Sequence, residues 1–110
     1  MQIQTAIAFL FGLVLTLVGP EAFADPLLIT IKDHQFSPQE LKVPSGQKVQ
    51  IKVRNEDPTP EEFESPSLKR EKVVKGNSEI TLNVGPLKPG RYDFVGEFHE
   101  ASAKGALIAE

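Results

Sequence analysis

The chain has 110 residues, no cysteine, two histidines and a formal net charge of -3, from 12 Lys+Arg against 15 Asp+Glu. That length suits one domain, and a cysteine-free chain has no disulfide, thiolate metal site, iron–sulfur cluster or thiol nucleophile. The mild acidity argues against nucleic acid, whose phosphate backbone rewards clustered Lys and Arg, and 25% charged residues is an ordinary globular value.

The first element is an almost purely apolar run over residues 3–18, followed by the helix-breaking, polar step Gly19-Pro20-Glu21 and then by Ala22-Phe23-Ala24. The small-x-small pattern reads as a signal peptidase site, with cleavage after Ala24 and a mature chain of residues 25–110. No Lys or Arg precedes the run, and an uncleaved N-terminal anchor is the alternative. The run is short for a span of about 20 residues, so export to the periplasm, with no membrane span after cleavage, is the expected outcome. A secreted domain this small often uses disulfides as staples. Without them, a well-packed core, a bound metal, or both must hold it together.

In the mature chain the apolar residues recur at period two. Leu27-Leu28-Ile29-Thr30-Ile31 reads as a strand, as do Leu41-Lys42-Val43 and Val49-Gln50-Ile51-Lys52-Val53, the last with Val and Ile inward. Ile80-Thr81-Leu82-Asn83-Val84, Tyr92-Asp93-Phe94-Val95 and Ala106-Leu107-Ile108 continue the series. Turn signals separate them, including Ser37-Pro38, Pro44-Ser45-Gly46, Lys75-Gly76-Asn77 and Lys88-Pro89-Gly90. Short, regularly spaced strands with such turns predict a sandwich or small barrel. Two segments break the pattern. Residues 56–72 form a long connection with three prolines, acidic at its start (Glu56, Asp57, Glu61, Glu62, Glu64). Residues 96–104 carry Glu97, His99 and Glu100. Long loops in a compact β domain tend to carry function.

Several pieces in order resemble the cupredoxin family. Phe36-Ser37-Pro38 is followed by Val43-Pro44-Ser45-Gly46-Gln47-Lys48-Val49, then by a strand ending in Asn55. Leu87-Lys88-Pro89-Gly90-Arg91-Tyr92-Asp93-Phe94 enters the penultimate strand, and His99 precedes Lys104-Gly105-Ala106-Leu107. The resemblance covers residues 27–110 and implies an all-β, Greek-key sandwich or barrel of cupredoxin type. The departures are informative. Gly96 stands where blue-copper members have the Cys ligand, Ala103 where the Met falls, and Pro60-Glu61-Glu62-Phe63 where the first His lies. Only His99 remains, so a type-1 copper centre, which needs a thiolate and two imidazoles, cannot form. The segments around His34, Glu61-Glu62-Phe63-Glu64-Ser65 and Gly96-Glu97-Phe98-His99-Glu100 are similar to those of cysteine-poor cupredoxin-like proteins of bacterial periplasmic iron uptake. Those proteins accompany a high-affinity iron permease in the inner membrane, and that permease complex is the partner the resemblance implies.

That fold implies that the connections holding Glu61, Glu62, Glu64, Glu97 and His99 meet at one end, with the turn around His34 nearby. Clustered carboxylates repel one another, and a cation would relieve the repulsion. Carboxylates with one or two imidazoles suit iron, Mn(II), Zn(II) or Cu(II) and disfavour Cu(I). Candidate metal ligands are therefore His34, Glu61, Glu62, Glu64, Glu97 and His99, and the expected bound ion is iron, copper or both. Glu61 and Glu62 point opposite ways if the segment is extended, which favours Glu62, with Phe63 as anchor. The leading reading is a periplasmic metal-binding protein of iron acquisition; because hard carboxylates favour Fe(III) over Fe(II), a ferroxidase-like step before permease import is an open extension of it. A non-blue Cu(II) protein and a metal-free interaction domain are the alternatives. Glu56 and Asp57 read as turn residues, and Lys69-Arg70-Glu71-Lys72 as a solvated face.

Overall fold

The computed structural model describes residues 26–110, so the expected leader lies outside the described residues. The described residues form nine strands: β1 (Leu27–Lys32), β2 (Gln35–Ser37), β3 (Glu40–Val43), β4 (Val49–Asn55), β5 (Glu61–Ser65), β6 (Arg70–Val74), β7 (Ser78–Val84), β8 (Gly90–Gly96) and β9 (Lys104–Ala109). One short 3-10 turn, η1 (Glu97–His99), lies between β8 and β9. Two sheets result, in the orders β2-β1-β4-β7 and β3-β9-β8-β5-β6. The chain crosses between them repeatedly, and β1∥β4 and β3∥β9 are parallel pairs within an otherwise antiparallel sandwich. All six strands expected from the period-two pattern are present. Among the described residues no helix is long and apolar enough to cross a membrane.

Alternation explains which residues face inward. In β4, Val49, Ile51 and Val53 are buried while Gln50 and Arg54 are exposed, as a half-buried strand requires. Ile29, Ile31, Val43, Leu82 and Leu107 come in from the other strands. Three phenylalanines centre the core. Phe94 meets Phe36 edge-on at 4.9 Å and stacks on Phe63 at 4.8 Å; both are favoured aromatic arrangements.

The expectation of one long connection over residues 56–72 does not hold, because β5 and the start of β6 fall within it. The strand period was there, but its inward positions are Glu61, Phe63 and Ser65, and two of these three are polar. Buried polar groups need partners. The Ser65 hydroxyl donates to the Asp93 carbonyl at 2.6 Å and accepts from the Leu68 N–H at 3.2 Å. The β6 strand is an edge with four exposed residues in succession, so it has no apolar alternation to read, and its charges protect an edge from pairing with other chains.

Candidate metal centre

The end of the sandwich near η1 is built from three chain segments. The first is the β1–β2 hairpin. Its two turn residues, Asp33 and His34, have φ of 53° and 58°, the left-handed pair of a two-residue hairpin turn that matches strand twist. Asp57 holds this turn: its Oδ1 accepts the Asp33 N–H at 2.8 Å and its Oδ2 the His34 N–H at 2.9 Å. Asn55 in turn holds Asp57, accepting the Asp57 N–H at 3.0 Å while its amide donates to the Thr59 and Val74 carbonyls. Burial opposes ionisation of Asp57. The hydrogen bonds from His34 and Asp33, with the His34 and Lys32 charges, outweigh that burial and hold its carboxyl below the usual range.

The second segment is β5, whose first residue, Glu61, is 1% exposed. Its Oε1 accepts the Glu62 N–H at 3.0 Å and the Phe98 N–H at 2.9 Å, and its Oε2 lies 2.7 Å from His99 Nδ1. The third segment is the β8–β9 connection. The Gly96 and Ala103 N–H groups bond to the Ala103 and His99 carbonyls and close this loop, and the Ser102 hydroxyl reaches the His34 carbonyl at 2.8 Å. The His34 and His99 rings stack with centroids 3.5 Å apart and 11° between planes. In such a stack the nitrogen lone pairs lie in two nearly parallel planes. A cation at the usual distance of about 2.0–2.1 Å from each nitrogen would lie out of both ring planes, so the stacked pair is not a chelate. His34 instead covers one face of His99.

A thiolate copper site does not fit here. At Gly96, where the resemblance puts the cysteine, an added Cβ would lie 2.6 Å from Glu61 Cδ and 2.7 Å from Ala103 Cβ. The Glu61 carboxylate fills the space that a side chain at 96 would need.

Glu62 and Glu64 alternate with Glu61 and project from the opposite side of β5. Glu64 pairs in register with Glu71 of β6 and with Val95 of β8. Ligand oxygens of Glu62, Glu71 and Glu97 all lie within 4.8 Å of one another. Hydrogen bonding to Glu97 and then to Glu71, with burial and like-charge repulsion, pushes the Glu62 carboxyl up to about 7. Burial and repulsion from Glu97 and Glu71 also raise the Glu64 carboxyl. The six candidate residues thus divide in two. His34, Glu61 and His99 form an inner group, while Glu62, Glu64 and Glu97 lie on the outer side, where Glu71 joins them. The sequence marks Glu71 only as part of a charged run, and the β5–β6 register brings it to the cluster.

A family model described as a cupredoxin-like domain matches residues 5–109. An uncharacterized protein of Rickettsia prowazekii (strain Madrid E) is 44% identical over 93 residues, covering 82% of this chain and 74% of its own. Among solved structures, a methionine-to-alanine mutant of amicyanin in its Cu(I) form superposes with a TM-score of 0.66 at 18% identity, covering 82% of this chain and 87% of that one. Amicyanin from Paracoccus versutus gives 0.64 at 15% identity, covering 82% and 86%. These likenesses to amicyanin establish the fold, and with the match over nearly the whole chain the protein belongs to the cupredoxin-like domain family.

Proposed function

We propose that this is a periplasmic metal-binding protein of iron acquisition that takes up Fe(II) on the outer carboxylate cluster. The observation that carries the reading is the trio Glu62, Glu71 and Glu97, whose oxygens lie within one coordination sphere of one another. Glu64 stands beside it on β5, and His99 ends the turn that Glu97 begins. Three carboxylates this close are mutually repulsive, and a cation replaces that repulsion with attraction. Hard oxygen donors suit iron and other hard or borderline divalent ions. As hard donors they bind Fe(III) more strongly than Fe(II), which eases loss of one electron from the bound ion to dioxygen or to a Cu(II) ion. Fe(III) would then pass to an inner-membrane permease.

The test is aerobic Fe(II) oxidation with and without added copper, together with anaerobic Fe(II) titration by calorimetry. We expect Glu62→Gln and Glu97→Gln each to weaken Fe(II) binding by at least about tenfold without unfolding the domain. Unchanged affinity in both variants would remove the site. The presence of His99 supports a second reading, a non-blue Cu(II) site. Cu(II) outcompetes Fe(II) at most nitrogen and oxygen sites whatever the biology, so the oxidation rate, not competition, separates the two.

A further inference from the structure

We propose that Glu61 is not a metal ligand but a positioning residue, which fixes His99 as the Nδ1–H tautomer and leaves Nε2 as the nitrogen with a free lone pair. Both oxygens of Glu61 are committed. Oε1 faces two backbone N–H donors, from Glu62 and Phe98, and can only accept. Oε2 lies 2.7 Å from His99 Nδ1, a separation in the range of charge-assisted hydrogen bonds. Glu61 is 1% exposed, and such a carboxylate with its hydrogen-bonding capacity filled by donors has no reason to leave. Its side chain occupies the volume above Gly96, where a Cβ would come within 2.8 Å of Oε2. The inward-facing nitrogen of His99 is therefore engaged by the protein, and the ring can offer a cation only Nε2. The stacked His34 ring limits rotation of His99 about this contact. A carboxylate behind a histidine fixes its tautomer and orientation and raises its basicity as a donor.

The isosteric variant Glu61→Gln gives a result that loss of packing alone does not. The glutamine oxygen must still face the Glu62 and Phe98 N–H groups, so the amide NH2 is turned toward His99. Its N–H then donates to Nδ1, the ring moves to the Nε2–H tautomer, and Nε2 loses its lone pair. The experiment is two-bond 1H–15N correlation NMR of the full chain in slightly basic buffer, followed by titration with Zn(II) alone. In the wild type, His99 Nδ1 is expected to resonate as the protonated nitrogen and Nε2 as the unprotonated one. In Glu61→Gln the assignment is expected to reverse, with Zn(II) affinity lowered about 10- to 100-fold, the usual effect of losing such a partner. A wild-type His99 carrying its proton on Nε2 overturns the proposal without any variant being made. So does an unreversed tautomer in a folded Glu61→Gln protein. The metal arm rests on the cation-binding reading above and on His99 Nε2 serving as a further donor, and the tautomer arm rests on neither. The expected tautomers with no Zn(II) binding would thus sustain the positioning role of Glu61 and defeat the metal-binding reading alone.

Discussion

Two carboxyl groups at this end of the molecule respond to pH in opposite directions. Glu62 has a folded-state value of about 7, above its ordinary 4.5. Its contribution is complete below pH 4.5 and is lost as pH rises through 7, because the folded state holds a proton that the unfolded state has released. Asp57 lies below its ordinary 3.8, so its contribution is present above that value and is lost as pH falls through the lower folded value. Chemical denaturation between pH 4 and 8 should therefore show stability declining toward neutrality in the wild type and a flatter profile in Glu62→Gln. At neutral pH and below, cation binding should release a proton in the wild type and less in that variant, as read by calorimetry in buffers of different ionisation enthalpy. Asp57→Asn replaces one acceptor with a donor facing a turn N–H. It should cost about 1–3 kcal/mol, the usual penalty for an unsatisfied buried group, and should weaken the His34–His99 stack, visible as a change in their ring-current shifts. At this scale the histidines and most of the acids were legible because motif residues carry them. Glu61 and Glu62 were separable only as alternating sides of an extended segment. Glu71 was not legible, since nothing in Lys69-Arg70-Glu71-Lys72 marks one charge out from the rest.

Strands whose inward positions are apolar were readable from sequence, and β5 and β6 were not. The difference lies in Glu61 and Ser65, which face inward beside Phe63 and satisfy their polar atoms with partners that no local pattern announces. The β6 edge is held from across the sandwich. The Arg70 guanidinium donates to the Asn83 carbonyl of β7 through Nε at 3.0 Å and Nη2 at 2.7 Å, and through Nη1 to the carbonyls of Leu68 and Lys69. This side chain ties the free edge of one sheet to the free edge of the other. Arg70→Ala should leave the core intact but speed amide hydrogen exchange in residues 70–74 relative to β4. Equal exchange in β6 before and after the substitution would show that register alone holds this edge.

For the whole molecule, with no cysteine to staple it, stability rests on one core between two sheets. Phe94 and Phe63 are each 1% exposed within the aromatic cluster, whereas Phe98 of η1 is 48% exposed. Phe94→Ala should destabilise by about 3–5 kcal/mol in urea denaturation, a large share of the roughly 5–15 kcal/mol that holds most domains together. Phe98→Ala should change stability by less than about 0.5 kcal/mol. The Gly96 position bears on how such a molecule changes by successive substitution. Growing a side chain there is blocked by Glu61 and Ala103 together, and removing Glu61 alone strands two backbone N–H groups and the inner nitrogen of His99. A route from this chain to a thiolate copper protein by single replacements therefore passes through a damaged intermediate whether residue 96 or residue 61 changes first. Grafting cysteine at 96 into the otherwise native chain should yield a destabilised protein with no blue absorption when copper is added.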